Sequence, residues 1–183
     1  GAGNWGTANT WRAVSDTGTL QNWDNTGTAT ANLGGTAGII TIDTSLSSGV
    51  TMAGLNVSTN GYTIQAAANS RPLVVTGTLT LADGVGLTLA MASTGPIWAI
   101  GTLGFSTGST LNVSGNATAS NSNRINLGIT GTISGGGITL AGTGAGPTGF
   151  VASAGSSVSV TLNTNILNNS ATSATMLGAG SGH

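Results

Sequence analysis

The stretch LGGTAGIITIDTSLSSGVTMAGLNVSTNGYTIQ, residues Leu33 to Gln65, holds three short apolar runs: Ile39–Ile42, Val50–Val57 and Tyr62–Gln65. Gly, Ser, Thr and Asn separate them, and almost nothing in the stretch could perform acid–base chemistry. Runs this short, rich in β-branched residues and bounded by turn formers, read as strands. One such strand cannot bury its apolar face alone, so the segment needs copies of itself to stack upon.

Outward from this stretch the pattern repeats. Further strands are expected at Leu73–Leu81, Val85–Met91, Ile97–Phe105, Thr110–Val113, Arg124–Ile133, Gly137–Leu140, Phe150–Ser153 and Ser157–Leu162. In Leu73–Leu81, Thr76, Thr78 and Thr80 alternate with Val75, Leu79 and Leu81, which puts hydroxyls on one face and aliphatic groups on the other. Phrases such as GTLTLADG, GLTLAMAS, GTLGFSTG and GITLAGTG vary one theme, a Gly-led strand followed by a small-residue turn. Repetition of this kind points to an all-β chain wound as a single right-handed parallel β-helix, a β-solenoid. At ~20 residues per coil the rod has about nine coils. A β-sandwich, which also uses short alternating strands at regular intervals, is the alternative.

Composition narrows the function. Hydrophobic residues make up 38% of the 183 and fall in runs, which favours order over disorder. Charged residues make up 4%, about one-sixth of the usual ~25%, and Lys, Glu and Cys are absent. So little charge leaves little repulsion between copies, and self-association is expected. A net charge of −1 and three scattered arginines, Arg12, Arg71 and Arg124, give no phosphate-neutralising stripe, so no nucleic-acid partner is expected. No apolar run approaches the ~20 residues of a membrane-spanning helix. The chain begins at Gly1, and removal of a signal segment is the expected reason.

The segments NWGTANTW (Asn4–Trp11), NWDN (Asn22–Asn25), LGGTAGIITID (Leu33–Asp43) and VTMAGLNVSTNGYTIQ (Val50–Gln65) resemble the autotransporter-associated β-strand repeat of bacterial surface proteins. The resemblance covers roughly the first third and continues more loosely through GTLTLADG. It implies a secreted right-handed parallel β-helix displayed outside a bacterial cell, part of an adhesive or structural passenger, with no enzymatic activity.

The residues themselves offer little catalytic material. A glycoside hydrolase needs two carboxyls facing across a cleft, and only Asp16, Asp24, Asp43 and Asp83 are present. Asp83 precedes Gly84 in a turn signal that accounts for it without further function. His183 is the only histidine and the last residue, which excludes a His-based triad or multi-histidine metal site within one chain. No repeated Gly-Gly-x-Gly-x-Asp calcium array occurs, and the Thr-x-Thr pairs lack the constant interval of an ice-binding face. No catalytic residue, cofactor or metal is therefore expected.

The expected unit is one domain, 1–183, with 1–35 as a Trp-rich N-terminal cap or first coils and 163–183 as a terminal strand or tail. Trp5, Trp11 and Trp23 are expected to cover the end of an apolar core. Residues 125–183 contain no Asp or Arg, so the strands around Val158, Val160, Leu162, Ile166 and Leu167 lack the charges that discourage edge pairing. These eight residues form the expected interface of an extracellular structural subunit that joins its copies head to tail. An adhesin fragment whose exposed aromatics hold surface glycans is the alternative.

Overall fold

The computed structural model describes residues 2–13, 15, 17–67, 71–91, 98–104, 106, 108–115, 123–127, 132–142, 148–152, 161–168 and 175–179. Among these there is no helix. The strands are β1 (Gly3–Asn4), β2 (Trp11–Arg12), β3 (Leu20–Gln21), β4 (Thr30–Leu33), β5 (Ile39–Ile42), β6 (Val50–Met52), β7 (Gly54–Val57), β8 (Tyr62–Ala66) and β9 (Leu73–Leu81). They continue as β10 (Gly86–Met91), β11 (Trp98–Gly104), β12 (Thr110–Gly115), β13 (Asn123–Leu127), β14 (Thr132–Gly142), β15 (Thr148–Ala152), β16 (Thr161–Asn168) and β17 (Thr175–Ala179).

The fold is all-β and its sheets are mostly parallel. One sheet runs β1-β5-β8-β10-β12-β14-β16, and the other runs β17-β15-β13-β11-β9-β7-β4, with β6 also paired to β9. The β2–β3 ribbon is antiparallel. Consecutive strands from β7 onward alternate between the two sheets, so each sheet receives a strand once per circuit of the chain.

Register shows how the core is built. Ala31 pairs with Leu55, Leu55 with Leu79, and Leu79 with Leu103, each step 24 residues along. In the other sheet Ile40 pairs with Ile64 and Ile64 with Leu89. All seven of these side chains are buried, so like stacks upon like in columns. Burying each Leu or Ile stabilises by roughly 1.5–3 kcal/mol. The alternation expected for Leu73–Leu81 holds: Leu73, Val75, Leu79 and Leu81 are buried, and Thr76, Thr78 and Thr80 are exposed. Trp98 is also wholly buried, so the core admits a large ring in mid-chain as well as at its end.

The circuit is longer than expected. Paired residues lie 23 apart at Val50 and Leu73, 27 at Thr110 and Gly137, and 29 at Thr132 and Thr161. A ~20-residue repeat counts too few straight segments, because one circuit from Val50 holds three strands, β6, β7 and β8, and the corners between them. The seven-stranded sheet is accordingly shallower than nine coils. The run expected as one strand over Val50–Val57 is two, β6 and β7, broken at Ala53. Arg124–Ile133 likewise divides between β13 and β14.

Corners are held by backbone and by asparagine. Asn25 accepts from the Thr51 N–H at 2.7 Å and donates to the Gly49 carbonyl at 3.1 Å, so its side chain stands in for a strand neighbour. Asn60 accepts from the Gly86 N–H at 2.8 Å in the same way. Gly49 has φ +80°, and a Cβ there would collide with the carbonyl oxygen of Pro72 on the next circuit. Only glycine combines that backbone with that approach.

Candidate functional site

The N-terminal end of the two sheets carries the densest cluster of unusual side chains. Trp5 follows β1 and donates its backbone N–H to the Thr41 carbonyl at 2.7 Å, which carries the short β1–β5 pairing one residue further. Its indole is wholly buried. The chain then turns through Asn9, held at φ +55° with its N–H bonded to the Asn22 side-chain oxygen at 3.0 Å, and enters the β2–β3 ribbon. Arg12 spans the ribbon's loop by donating from Nη1 to the Gly18 carbonyl.

This ribbon brings Trp11 and Trp23 onto Trp5. Ring centroids lie 4.7 Å apart for Trp5–Trp11, 4.8 Å for Trp11–Trp23, and 5.4 Å for Trp5–Trp23, the last pair edge to face at 89°. These distances suit aromatic attraction worth roughly 0.5–1.5 kcal/mol per pair beyond area burial. Trp11 Nε1 donates to the Trp5 carbonyl at 2.9 Å. The indole N–H groups of Trp5 and Trp23 are buried with no acceptor.

A second anchor ties the cluster to the turn after β5. Asp43 Oδ1 accepts from the Ser45 N–H at 2.7 Å. The Ser45 hydroxyl, then the backbone N–H groups of Ser45 and Gly6 and the Arg71 guanidinium, hold the Asp43 carboxyl below its ordinary range against the opposing effect of burial. Arg71 also bonds the carbonyls of Asp43 and Ser47. Gly6 lies so close that a Cβ would strike the Ser45 hydroxyl oxygen.

Beside the three rings lies an open recess of about 1040 Å³. Thr30, Asn32 and Leu33 of β4 line one side, Trp5, Trp11 and Trp23 another, and Ile40 and Tyr62 also face it. The Tyr62 hydroxyl bonds the Gly34 and Thr36 carbonyls at 2.7 and 3.1 Å, and burial raises its pKa. Leu33 and Ile40 retain 5% and 7% exposure here, against about nil for Leu55, Ile64 and Leu79 deeper in the stack. Leu33 and Ile40 thus lie slightly nearer solvent than those deeper residues.

Among the interface residues expected from sequence, the structure unites Trp5, Trp11 and Trp23. Leu162, Ile166 and Leu167 belong to β16, the terminal strand of its sheet at the end opposite β1. Val158 and Val160 lie outside the described residues. Sequence reasoning missed β4, whose signal is only the weak alternation of Ala31 and Leu33. It also missed the β2–β3 ribbon, in which only Trp11 and Leu20 are large and apolar.

Asp24 and Asp83 lie in turns and Asp43 leads into the turn after β5, while Asp16 lies outside the described residues. Asp24 caps its own turn through the Thr26 N–H and hydroxyl, both at 3.0 Å, and Asp83 is exposed between β9 and β10. Among the described residues no three of His, Cys, Asp and Glu gather as metal ligands, and no helix is long and apolar enough to cross a membrane. Comparison with protein-family profiles, curated proteins and solved structures finds no match to this chain.

Proposed function

We propose that the chain is a non-enzymatic structural subunit, wound throughout as a right-handed parallel β-solenoid, which joins its copies end to end into an extracellular filament at a bacterial surface. The observation that carries this reading is the polarity of the sheets. Each is parallel along its length and terminates in edge strands that point the same way, β1 and β16 in one, β4 and β17 in the other. A translated copy therefore brings its β16 and β17 end up to the β1 and β4 end with the strands of each sheet running the same way, and a contact of that kind need not close on itself. The 23–29-residue recurrence and the parallel pairing favour the solenoid over the sandwich. The resemblance of Leu33–Gln65 to the autotransporter-associated repeat supports the surface location. Electron microscopy and sedimentation velocity across a concentration series test it: filaments are expected, and a chain that stays monomeric at the highest concentration overturns it.

A second reading, an adhesin fragment that holds surface glycans, draws on the half-buried rings of Trp11 and Trp23 beside the polar groups of Arg12, Gln21 and Asp24 at the recess. A glycan array separates the two. Binding lost in a folded Trp11→Ala chain favours the adhesin.

A further inference from the structure

Among the described residues, β4 has a strand neighbour on one side only. The carbonyls of Ala29 and Leu33 accept from Ala53 and Ser58 on the β7 side. In a parallel ladder successive residues turn their N–H and C=O to opposite sides, so Thr30 and Asn32 present theirs away from β7. No strand among the described residues pairs with that side. The recess lies along it, and Leu33 and Ile40, buried but with 5% and 7% exposure, line the same space. An unpaired strand edge and a groove beside it are what an added strand requires.

We infer that the recess along β4 is a strand-acceptor site, filled by the Thr161–Asn163 stretch of β16 from a second copy of this chain. This rests on the end-to-end reading above and specifies which strands meet. The column that begins at β4 continues through β7 to the later residues of β9 and β11, Leu79–Leu81 and Thr102–Gly104. Beyond them β14 lies against β11, and its leading residues Thr132–Ser134 pair with Thr161–Asn163. The β4–β7, β7–β9, β9–β11 and β14–β16 pairings are each parallel; we place the β16 stretch beyond the β11–β14 contact, at the end opposite β4 and running in the same direction. Neither Ala29–Leu33 nor Thr161–Asn163 carries a charge to oppose their approach. The incoming backbone supplies acceptors and donors to Thr30 and Asn32.

The native chain has no cysteine, so engineered thiols report the contact without interference. Asn32→Cys and Asn163→Cys chains are mixed, assembled and oxidised. The inference expects disulfide-linked dimers containing one of each chain, few dimers from either chain alone, and loss of assembly in a Thr30→Pro chain. That proline removes one outward N–H at the first residue of an edge strand, where proline is tolerated, and circular dichroism checks that it still folds. A wild-type chain that stays monomeric overturns the filament reading and this inference with it. Filaments that form while the mixed cysteines do not cross-link, or that form equally in the folded Thr30→Pro chain, overturn the strand assignment alone. Dimers of Asn32→Cys with itself indicate a closed two-fold pairing of β4 edges and also overturn it.

Discussion

The indole N–H of Trp11 is bonded to the backbone carbonyl of Trp5 at 2.9 Å, and the two rings lie 4.7 Å apart, so one residue fixes both the chain and the side chain of the other. Through that bond the β2–β3 ribbon is fastened to the chain just after β1. The two contributions separate by mutation. Trp11→Phe keeps a ring but loses the donor and is expected to cost about 1 kcal/mol. Trp5→Ala empties a wholly buried site and is expected to cost roughly 3–5 kcal/mol. Denaturant unfolding measures both.

Leu79 sits between Leu55 and Leu103 in one inward column, while Thr78 beside it faces solvent. Leu79→Ala is expected to destabilise by about 2–5 kcal/mol. Thr78→Ala is expected to stay within about 0.5 kcal/mol of wild type. Equal effects at the two positions would contradict the inward and outward assignment.

Gly35 and Gly49 both have positive φ, +69° and +80°, but only Gly49 lies against the Pro72 carbonyl. Gly35→Ala meets open space and is expected to cost only the left-handed backbone term, about 1–2 kcal/mol. Gly49→Ala adds a collision with backbone on the next circuit and is expected to lower the thermal midpoint distinctly further.

Asp43 ionises more readily in the folded chain than its ordinary value of 3.8. A carboxyl with a depressed folded pKa adds stability above the unfolded pKa and loses it as pH falls through the folded one. The thermal midpoint is therefore expected to fall as pH drops below about 4. Asp43→Asn is expected to flatten that slope and to leave a smaller difference from wild type at pH 2 than at pH 6. Melting curves at intervals between these limits check it.

Much of the strand pattern was legible because inward positions alternate without interruption. Ile39–Ile42 and Leu73–Leu81 were read with the bounds the structure gives. β4 was not, because its inward side chains are one Ala and one Leu among Thr, Asn and Gly, too small a contrast for periodicity to register. The corner at Ala53 was hidden for a related reason: it contains no charged or strongly polar residue, and the turn is held by its N–H bonding the Ala29 carbonyl on the preceding circuit. The three tryptophans stand out in the sequence and the structure clusters their rings, but the recess beside them was not legible, since it depends on which edge of β4 lacks a neighbour among the described residues. Near the end of the chain, the strand expected over Ser157–Leu162 and the separate run at Ile166–Leu167 belong in their described part to a single strand, β16.

The recurrence of register has a practical reading for anyone who wishes to resize the molecule. Leu55 and Leu79 occupy equivalent stations one circuit apart, and the circuit lengthens from 24 residues there to 29 between Thr132 and Thr161 with the strands still paired. Part of the difference is taken up inside paired strands, where the register shifts between Ile100 and Thr102 and between Ser134 and Gly137. Excising residues 55–78 rejoins Gly54 to Leu79 at a matching station, and the shortened chain is expected to fold with an unchanged cross-section. A cut out of phase by a single residue would instead turn Leu79 and Leu81 outward.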